Sequence, residues 1–510
     1  MTELPSPPAA PPPKAPRDPE RRRISPLELI GLIVGILGLV IGVLEILPDD
    51  MRAGLFGGAP TATPIAPPTP VSFADDEIGI LISRFVTPAD QPIEDAEMAR
   101  LMDGVYQRLA AELDTFRDQL DVAVQVRPPS QTAFVPGSTR AERERNASLI
   151  AAQTGAEIVL YGEVTRAANG TYEVQPEFYI APDLFSDALE LTGAYRLGGD
   201  VAVALPVDVE ANALLTGRTQ VAAQIFAGLV FYLGEEYRRA LAAFQQAAAQ
   251  PGWEQTEGRE VLSILIGNTY NRLASLDAQA GEIDAAREHL AATTAQYQAA
   301  LATNPEYARG YNGMASAGYL EWNLNRQADP AAPQDALLAA LDWLERGEEA
   351  IDQPEELAVR TKPLYTRILI HYALWTFYID VYTGEQLATF ERAIQRDGEQ
   401  ILRRYDDGGY PPLQEFASEV YANRGLMLYS QSRCPEAVEQ FTLAVELAPG
   451  AIRRMFFNGW LGDCYALMNQ PEAAISAYFA AVEAADSLDS PPLDQIARYE
   501  SRIDELRSNG

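Results

Sequence analysis

Two stretches of this chain carry one spacing of small and aromatic residues. Gly425, Ala437, Phe441 and Ala444 stand at offsets 0, 12, 16 and 19, and Gly462, Ala474, Tyr478 and Ala481 repeat those offsets 37 residues later. An internal period of this size reads as stacked helix–turn–helix units. The reason is steric. A glycine in the first helix lets the second approach, a small alanine there accepts the contact, and a ring one turn further on fills the groove. Pro449 then ends the second helix, because proline cannot continue the ladder.

The same offsets recur earlier at Gly228, Phe231, Ala240, Phe244, Ala247 and Pro251. Another unit is split: Gly267 and Tyr270 open it, Tyr297, Ala300 and Pro305 close it, and about 14 residues are inserted between. Either its helices are longer or its turn is elaborated. Around 311–349 and 361–405 the helical period persists while the signature fades, as in degenerate pairs. Leu493 to Leu506 reads as a last helix with one polar face, the cap a solenoid needs. The spacing resembles the tetratricopeptide repeat, and the array is expected over 209–510. Its packing residues would be Gly228, Ala240, Phe244, Gly267, Tyr270, Gly425, Ala437, Phe441, Gly462, Ala474 and Tyr478. Stacked pairs make a long surface that binds peptides or proteins, and the resemblance implies scaffolding and assembly of complexes.

The formal charge of −33 argues against nucleic acid, or an anionic membrane surface, as a general partner. It reads as a solvated acidic surface, with cationic partners or divalent ions as the alternative. Two cysteines and two histidines leave little for a soft-metal site. The chain has no HExxH, GxSxG or CxxC and no complete phosphate loop. Gly198-Gly199-Asp200 is a turn, and Gly217-Arg218-Thr219 lacks the lysine and upstream glycine of a phosphate loop. His289 and His371 have no partner at a ligand or triad spacing. No catalytic, cofactor-binding or metal residue is therefore assigned, and an enzyme is not expected.

Residues 1–26 are Pro-rich and read as a disordered tail carrying Lys14, Arg17, Arg21, Arg22 and Arg23. The apolar run 27–47 spans about 30 Å at roughly 1.5 Å per residue, one bilayer core. Basic residues precede it and Asp49 and Asp50 follow. The expectation is a single-pass anchor in the cell membrane with the tail cytoplasmic and the bulk of the chain extracytoplasmic. A cleaved signal peptide fits less well: the run exceeds the usual apolar core of about 7–15 residues, and Pro60 follows the small-residue site Gly57-Gly58-Ala59. Gly31, Gly35, Gly38 and Gly42 share one helical face, which would let two copies associate as a homodimer; glycine is also simply common in membrane helices. Residues 48–75 form a Pro/Gly-rich spacer.

From residue 76 to 205 the pattern changes to alternating strands and helices. Ile78–Phe85, Asp121–Val126, Ala156–Val164, Tyr172–Ile180 and Leu189–Leu197 read as strands, 95–116 and 139–154 as helices, and Asn169-Gly170 as a hairpin turn. The stretches Ile78–Phe85 and Gly155–Val164, with the hairpin after them, resemble the amino-terminal α/β domain of TolB-type proteins. That resemblance implies protein contacts rather than catalysis.

The fold class expected is α+β and multidomain: a transmembrane helix, a small sandwich-like α/β domain and an all-α tetratricopeptide-like solenoid. Leu364 to Tyr382 is apolar nearly all round and interrupted by Arg367, His371 and Asp380, so it reads as a buried helix, with an aromatic ligand groove as the alternative. Cys434 and Cys464 fall on consecutive antiparallel helices at similar height. They suit either a disulfide or two buried thiols. The leading function is a membrane-anchored scaffold that binds protein or peptide partners; the alternative is an envelope sensor whose α/β domain binds a small molecule.

Overall fold

The computed structural model describes residues 72–509 apart from 75–76, 89–92, 117–122, 132–133, 168–170, 183–190, 204–212, 251–257, 355, 409–410 and 489–491. The tail 1–26, the run 27–47 with Gly31, Gly35, Gly38 and Gly42, the spacer up to residue 71 and the Asn169-Gly170 turn lie outside the described residues. Among those described, no helix is long and apolar enough to cross a membrane. All of them belong to one compact unit, 68–510.

The first part is a sheet ordered β2-β1-β3-β4-β5, with β6 also paired to β4. Strands β1 (Glu77–Ile82), β2 (Ala123–Arg127) and β3 (Ile158–Arg166) are parallel. Helix α1 (Asp95–Asp114) links the first two and α2 (Arg140–Thr154) the next. Alternate residues face opposite sides, as a two-residue period requires. Ile80, Ile82, Ile158 and Leu160 pack with α1, whereas Leu81, Val159 and Tyr161 pack with Ala147, Ile150 and Ala151 of α2. Thr139 and Glu142 form a capping box that starts α2, and Gly155 in the left-handed conformation ends it.

Strand β4 (Tyr172–Ile180) pairs with β3 along its full length. Its other edge is shared by β5 (Gly193–Arg196) and β6 (Val201–Val203). The division falls at Pro176, which accepts a bond from Leu197 but has no N–H to return on that edge. The strand expected over Leu189–Leu197 is thus shorter, and β6 is an addition that its three residues are too few to signal. The spacer expected to reach residue 75 also ends earlier. The Phe73 N–H donates to Thr154 O at 2.8 Å, and its ring lies under the Arg127 guanidinium at 3.8 Å.

Thirteen helices follow among the described residues. They fall into six antiparallel pairs: α3 (Ala213–Leu233) with α4 (Tyr237–Ala248), α5 (Arg259–Gln279) with α6 (Ile283–Thr303), α7 (Ala308–Ala328) with α8 (Asp335–Glu349), α9 (Leu357–Phe377) with α10 (Gly384–Gly408), α11 (Gln414–Ser430) with α12 (Cys434–Leu447), and α13 (Ala451–Leu467) with α14 (Pro471–Asp486). Helix α15 (Leu493–Asn509) closes the stack, burying Tyr499 and Ile503 against the last pair.

Four of the six turns share one device. Glu235, Ser432 and Asn469 have φ near +60°, and each lies seven residues after Gly228, Gly425 or Gly462. In the second pair Gly281, at φ +78°, lies fourteen residues after Gly267. The insertion there is therefore two extra turns in each helix, not an elaborated loop. Equal lengthening keeps the two helices in register. In the third and fourth pairs the signature gives way to other contacts. Gly318 packs on Ala340, and the buried Asp397 takes Arg367 and Arg396 at 2.6 and 2.8 Å.

The sheet and the array share a core. Phe178 stacks on Tyr195 at 5.2 Å and meets Phe226 of α3 edge-on at 5.6 Å, within one apolar cluster that runs from Ile80 to Ile266. The boundary expected between 205 and 209 is thus a break in the sequence pattern but not in the packing.

Candidate binding surface

The first helices of consecutive pairs touch one another: α5 meets α7, α7 meets α9, α9 meets α11 and α11 meets α13. This closer approach turns the stack toward the first helices and makes their free faces a continuous surface.

Rings wedged against glycines hold the helices in place. A Cβ on Gly228 would lie 2.5 Å from the Phe244 ring, one on Gly425 2.5 Å from Phe441 and one on Gly462 2.6 Å from Tyr478. Ala240, Ala437 and Ala474 are fully buried beside them. In the second pair the ring over Gly267 is Tyr297, which also lies against Gly313 of the next pair, 2.7 Å from a Cβ at either position. One ring thereby ties three helices. Tyr270 stands one turn after Gly267, at the opening of the unit. It is half-buried, its hydroxyl accepts from Gln245 Nε2 at 3.1 Å, and its ring stands 5.9 Å from His289.

Polar and thiol groups are arranged around these rings. His289 Nδ1 lies 2.7 Å from Asp277 Oδ2, a carboxylate on the facing helix twelve residues earlier, so this histidine does have a partner. His371 stacks on Phe390 at 5.6 Å, and burial pushes its imidazole down to about 4 against the opposing charge of Asp397. Both cysteines are buried and free, with their thiols in hydrogen-bonding reach, and burial pushes the Cys464 thiol well up.

A further arrangement joins the sheet to the first-helix face. Arg309 of α7 is 6% exposed and donates to Tyr195 Oη at 2.8 Å and to Thr192 O at 2.6 Å. Glu356 caps α9 with one oxygen, and its other oxygen accepts from the Tyr179 hydroxyl at 2.8 Å. Inside the sheet domain, Arg143 donates to both oxygens of Glu177 at 3.0 and 2.8 Å and to Glu163 at 3.0 Å. Burial pulls the Arg143 guanidinium down, and the bonds to Glu177 more than offset it.

Beyond Arg309 the same face opens into a pocket of about 50 Å³ between α5, α7 and α9, walled by Asn268, Asn271, Asn312, Ser316, Lys362 and Thr366. A second pocket, of about 410 Å³, lies at the carboxyl ends of β1 and β2, between Arg84, Arg100, Met102, Asp103 and Pro129. A third, of about 490 Å³, lies among α10, α11 and α12. Among the described residues no group of three or more histidines, cysteines or carboxylates is placed to hold a metal ion.

No protein-family model matches the chain. No curated protein matches it either. Among solved structures it is similar to a thermophilic TPR protein of Thermus thermophilus, at 15% identity over 56% of this chain and 98% of that one, with a TM-score of 0.24. It is similar to a tetratricopeptide repeat protein from Parabacteroides merdae, at 11% identity over 58% and 93%, TM-score 0.32. A third is the nuclear import adaptor Nro1 of S. pombe, at 10% identity over 56% and 98%, TM-score 0.35. By its own geometry the chain is a small sheet domain followed by a helical-repeat array.

Proposed function

We propose that the chain is a scaffold or adaptor held at a membrane by residues 27–47, with the tail 1–26 cytoplasmic and the sheet and array outside, and that the first-helix face takes up protein or peptide partners. The observation that carries this reading is the row of polar side chains that α5, α7 and α9 bring together around one pocket on that face. A long face of stacked helices with hydrogen-bonding groups in it suits an extended chain. The basic residues before residue 27 support the orientation, and the resemblance of 76–205 to TolB-type domains points to protein contacts as well.

Crosslinking in intact cells followed by mass spectrometry tests it. Partners are expected on α5 to α13 of the first-helix face; crosslinks confined to the second helices would overturn the reading. External protease on intact cells should remove all but a short anchored fragment, whereas full protection would reverse the orientation. Replacing Gly35 and Gly38 by Ile should weaken pairing of the membrane segment in lipid, and equal association would leave those glycines without that role.

A second reading, an envelope sensor, is favoured by the pocket at the carboxyl ends of β1 and β2. Ligands of open α/β sheets sit in such crevices, and Arg84, Arg100 and Asp103 offer polar groups around Met102. A small molecule bound there and lost on Arg100→Ala would favour it.

A further inference from the structure

The groove among α10, α11 and α12 contains a cation that no group of the chain pairs with. Arg143, Arg367 and Arg453, wholly or partly buried, each hold two carboxylates. Arg424 of α11 is half-buried as well, yet it makes no hydrogen bond or ion pair. Its Nε is closed off from solvent, so the end of the guanidinium that remains open is the pair of Nη atoms. Nη2 lies over Gly398 of α10, 3.5 Å from where a Cβ would stand. Burial pulls this guanidinium below its ordinary value, and the charge of Glu399 offsets that only in part. A guanidinium stays charged all the same, and leaving such a group without an acceptor is costly.

The rest of the lining has the opposite sign. Glu391, Glu399, Glu436 and Glu439 stand around the groove, with Ile394, Met427 and Leu428 between them. Arg433 Nε holds Glu436 at 2.8 Å, and Gln431 Nε2 holds Glu391 at 3.1 Å. Glu399 and Glu439 are exposed and make no such bond. The lining thus carries two more carboxylates than guanidiniums. An anion alone would meet Arg424 but be repelled by the rim. A cation alone would suit the rim and leave Arg424 unanswered. A zwitterion meets both: two Nη donors take a carboxylate as a fork, and Glu399, next in the chain to Gly398, takes the ammonium beside it. The room of about 490 Å³ is that of a small-molecule site, about 300–1,000 Å³, and the apolar side chains suit an aliphatic body.

We propose that this groove binds a zwitterion of the α-amino-acid kind, free or as a short peptide, with its carboxylate on Arg424 and its ammonium toward Glu399 and Glu439. The site lies on the side of the second helices, so it does not depend on the first-helix face being the surface for protein partners.

The test uses the full chain in detergent and four probes read by ligand-observed saturation-transfer NMR and titration. Leucine carries both charges, N-acetyl-leucine only the carboxylate, leucinamide only the ammonium, and leucylglycylglycine both charges further apart. Leucine or the tripeptide should bind saturably and at least about tenfold more tightly than either singly charged probe, since a site built for a polar group rejects the analogue that lacks it. Arg424→Met should abolish the preference over leucinamide, and Glu399→Gln the preference over N-acetyl-leucine. Arg424 has no bond to lose, so the melting temperature of Arg424→Met should stay or rise; an arginine with a merely structural role would lower it. Tighter binding of leucine assigns the free amino acid, and tighter binding of the tripeptide a short peptide. N-acetyl-leucine bound as tightly as leucine would mean an anion site only, and leucinamide bound as tightly would mean an acidic rim only; either overturns the zwitterion. No saturable binding of leucine or the tripeptide would mean a groove for solvent and would overturn the proposal, as would unchanged binding in Arg424→Met.

Discussion

Gly425 lies beneath the ring of Phe441, so that a Cβ on the glycine would stand 2.5 Å from the ring edge. Phe441 is fully buried and has no room to retreat. Gly425→Val should therefore overpack the fifth pair and cost about 1–3 kcal/mol. Gly384, with nothing within 4 Å of its Cβ position, should accept alanine without loss. Urea midpoints of the two variants check this, and a neutral Gly425→Val would mean the ring does not fill the groove.

Arg143 and Glu177 form a pair buried on both sides, at 3% and 1% exposure. Removing one partner leaves the other charge uncompensated, which typically costs about 3–5 kcal/mol. Arg143→Met should be destabilised by that order, and Arg143→Met with Glu177→Met by much less. A double-mutant cycle on thermal melts measures the difference. Additive effects would refute the coupling.

Burial holds His371 near 4, below its ordinary 6.5. The unfolded chain therefore takes up the proton first. The stability this gives is full above about pH 6.5 and is lost as pH falls toward about 4. His371→Gln should flatten that part of the profile while leaving the region above about pH 7 little changed. Denaturation midpoints measured across this range give the slope; an identical slope in both proteins would show that His371 does not set it.

Cys434 and Cys464 face each other from α12 and α13 as buried thiols. Two thiols should titrate in unfolded protein purified under reducing conditions, and neither should react quickly in the native state, because both side chains are shielded from reagent and burial disfavours the Cys464 thiolate. Diamide treatment should consume both without forming dimers if the pair closes into the disulfide suggested by their spacing. Closing that loop would add roughly 3–4 kcal/mol in the chain-entropy model. Intermolecular dimers would rule out the pairing.

How much of this was legible depends on the range of each contact. Gly425, Ala437 and Phe441 lie within one helical hairpin, so their spacing alone predicts the approach of two helices. The strand over 78–85 was legible as a short apolar run, and it ends at Ile82; those over 121–126 and 172–180 were legible by their two-residue alternation. Tyr297 was legible as the closing ring of the split unit, but how its inserted residues divide was left open, and two extra turns in each of α5 and α6 answer it. The third and fourth pairs lost the signature because Ala340 and the Arg367–Asp397 pair do by other chemistry what a glycine and a ring do elsewhere.

By itself the sequence determined the helix pairs that carry the signature and the order of strands and helices before them, because these follow from periods and turns repeated within a few dozen residues. Only the tertiary structure decided that Arg309 of α7 would hold Thr192 and Tyr195 of the sheet, more than a hundred residues away. It alone brought Asn268, Ser316 and Lys362 around one pocket. Such contacts are chosen by which faces remain unburied after the local elements form. That depends on how the pairs stack and curve, a quantity no local spacing of residues records.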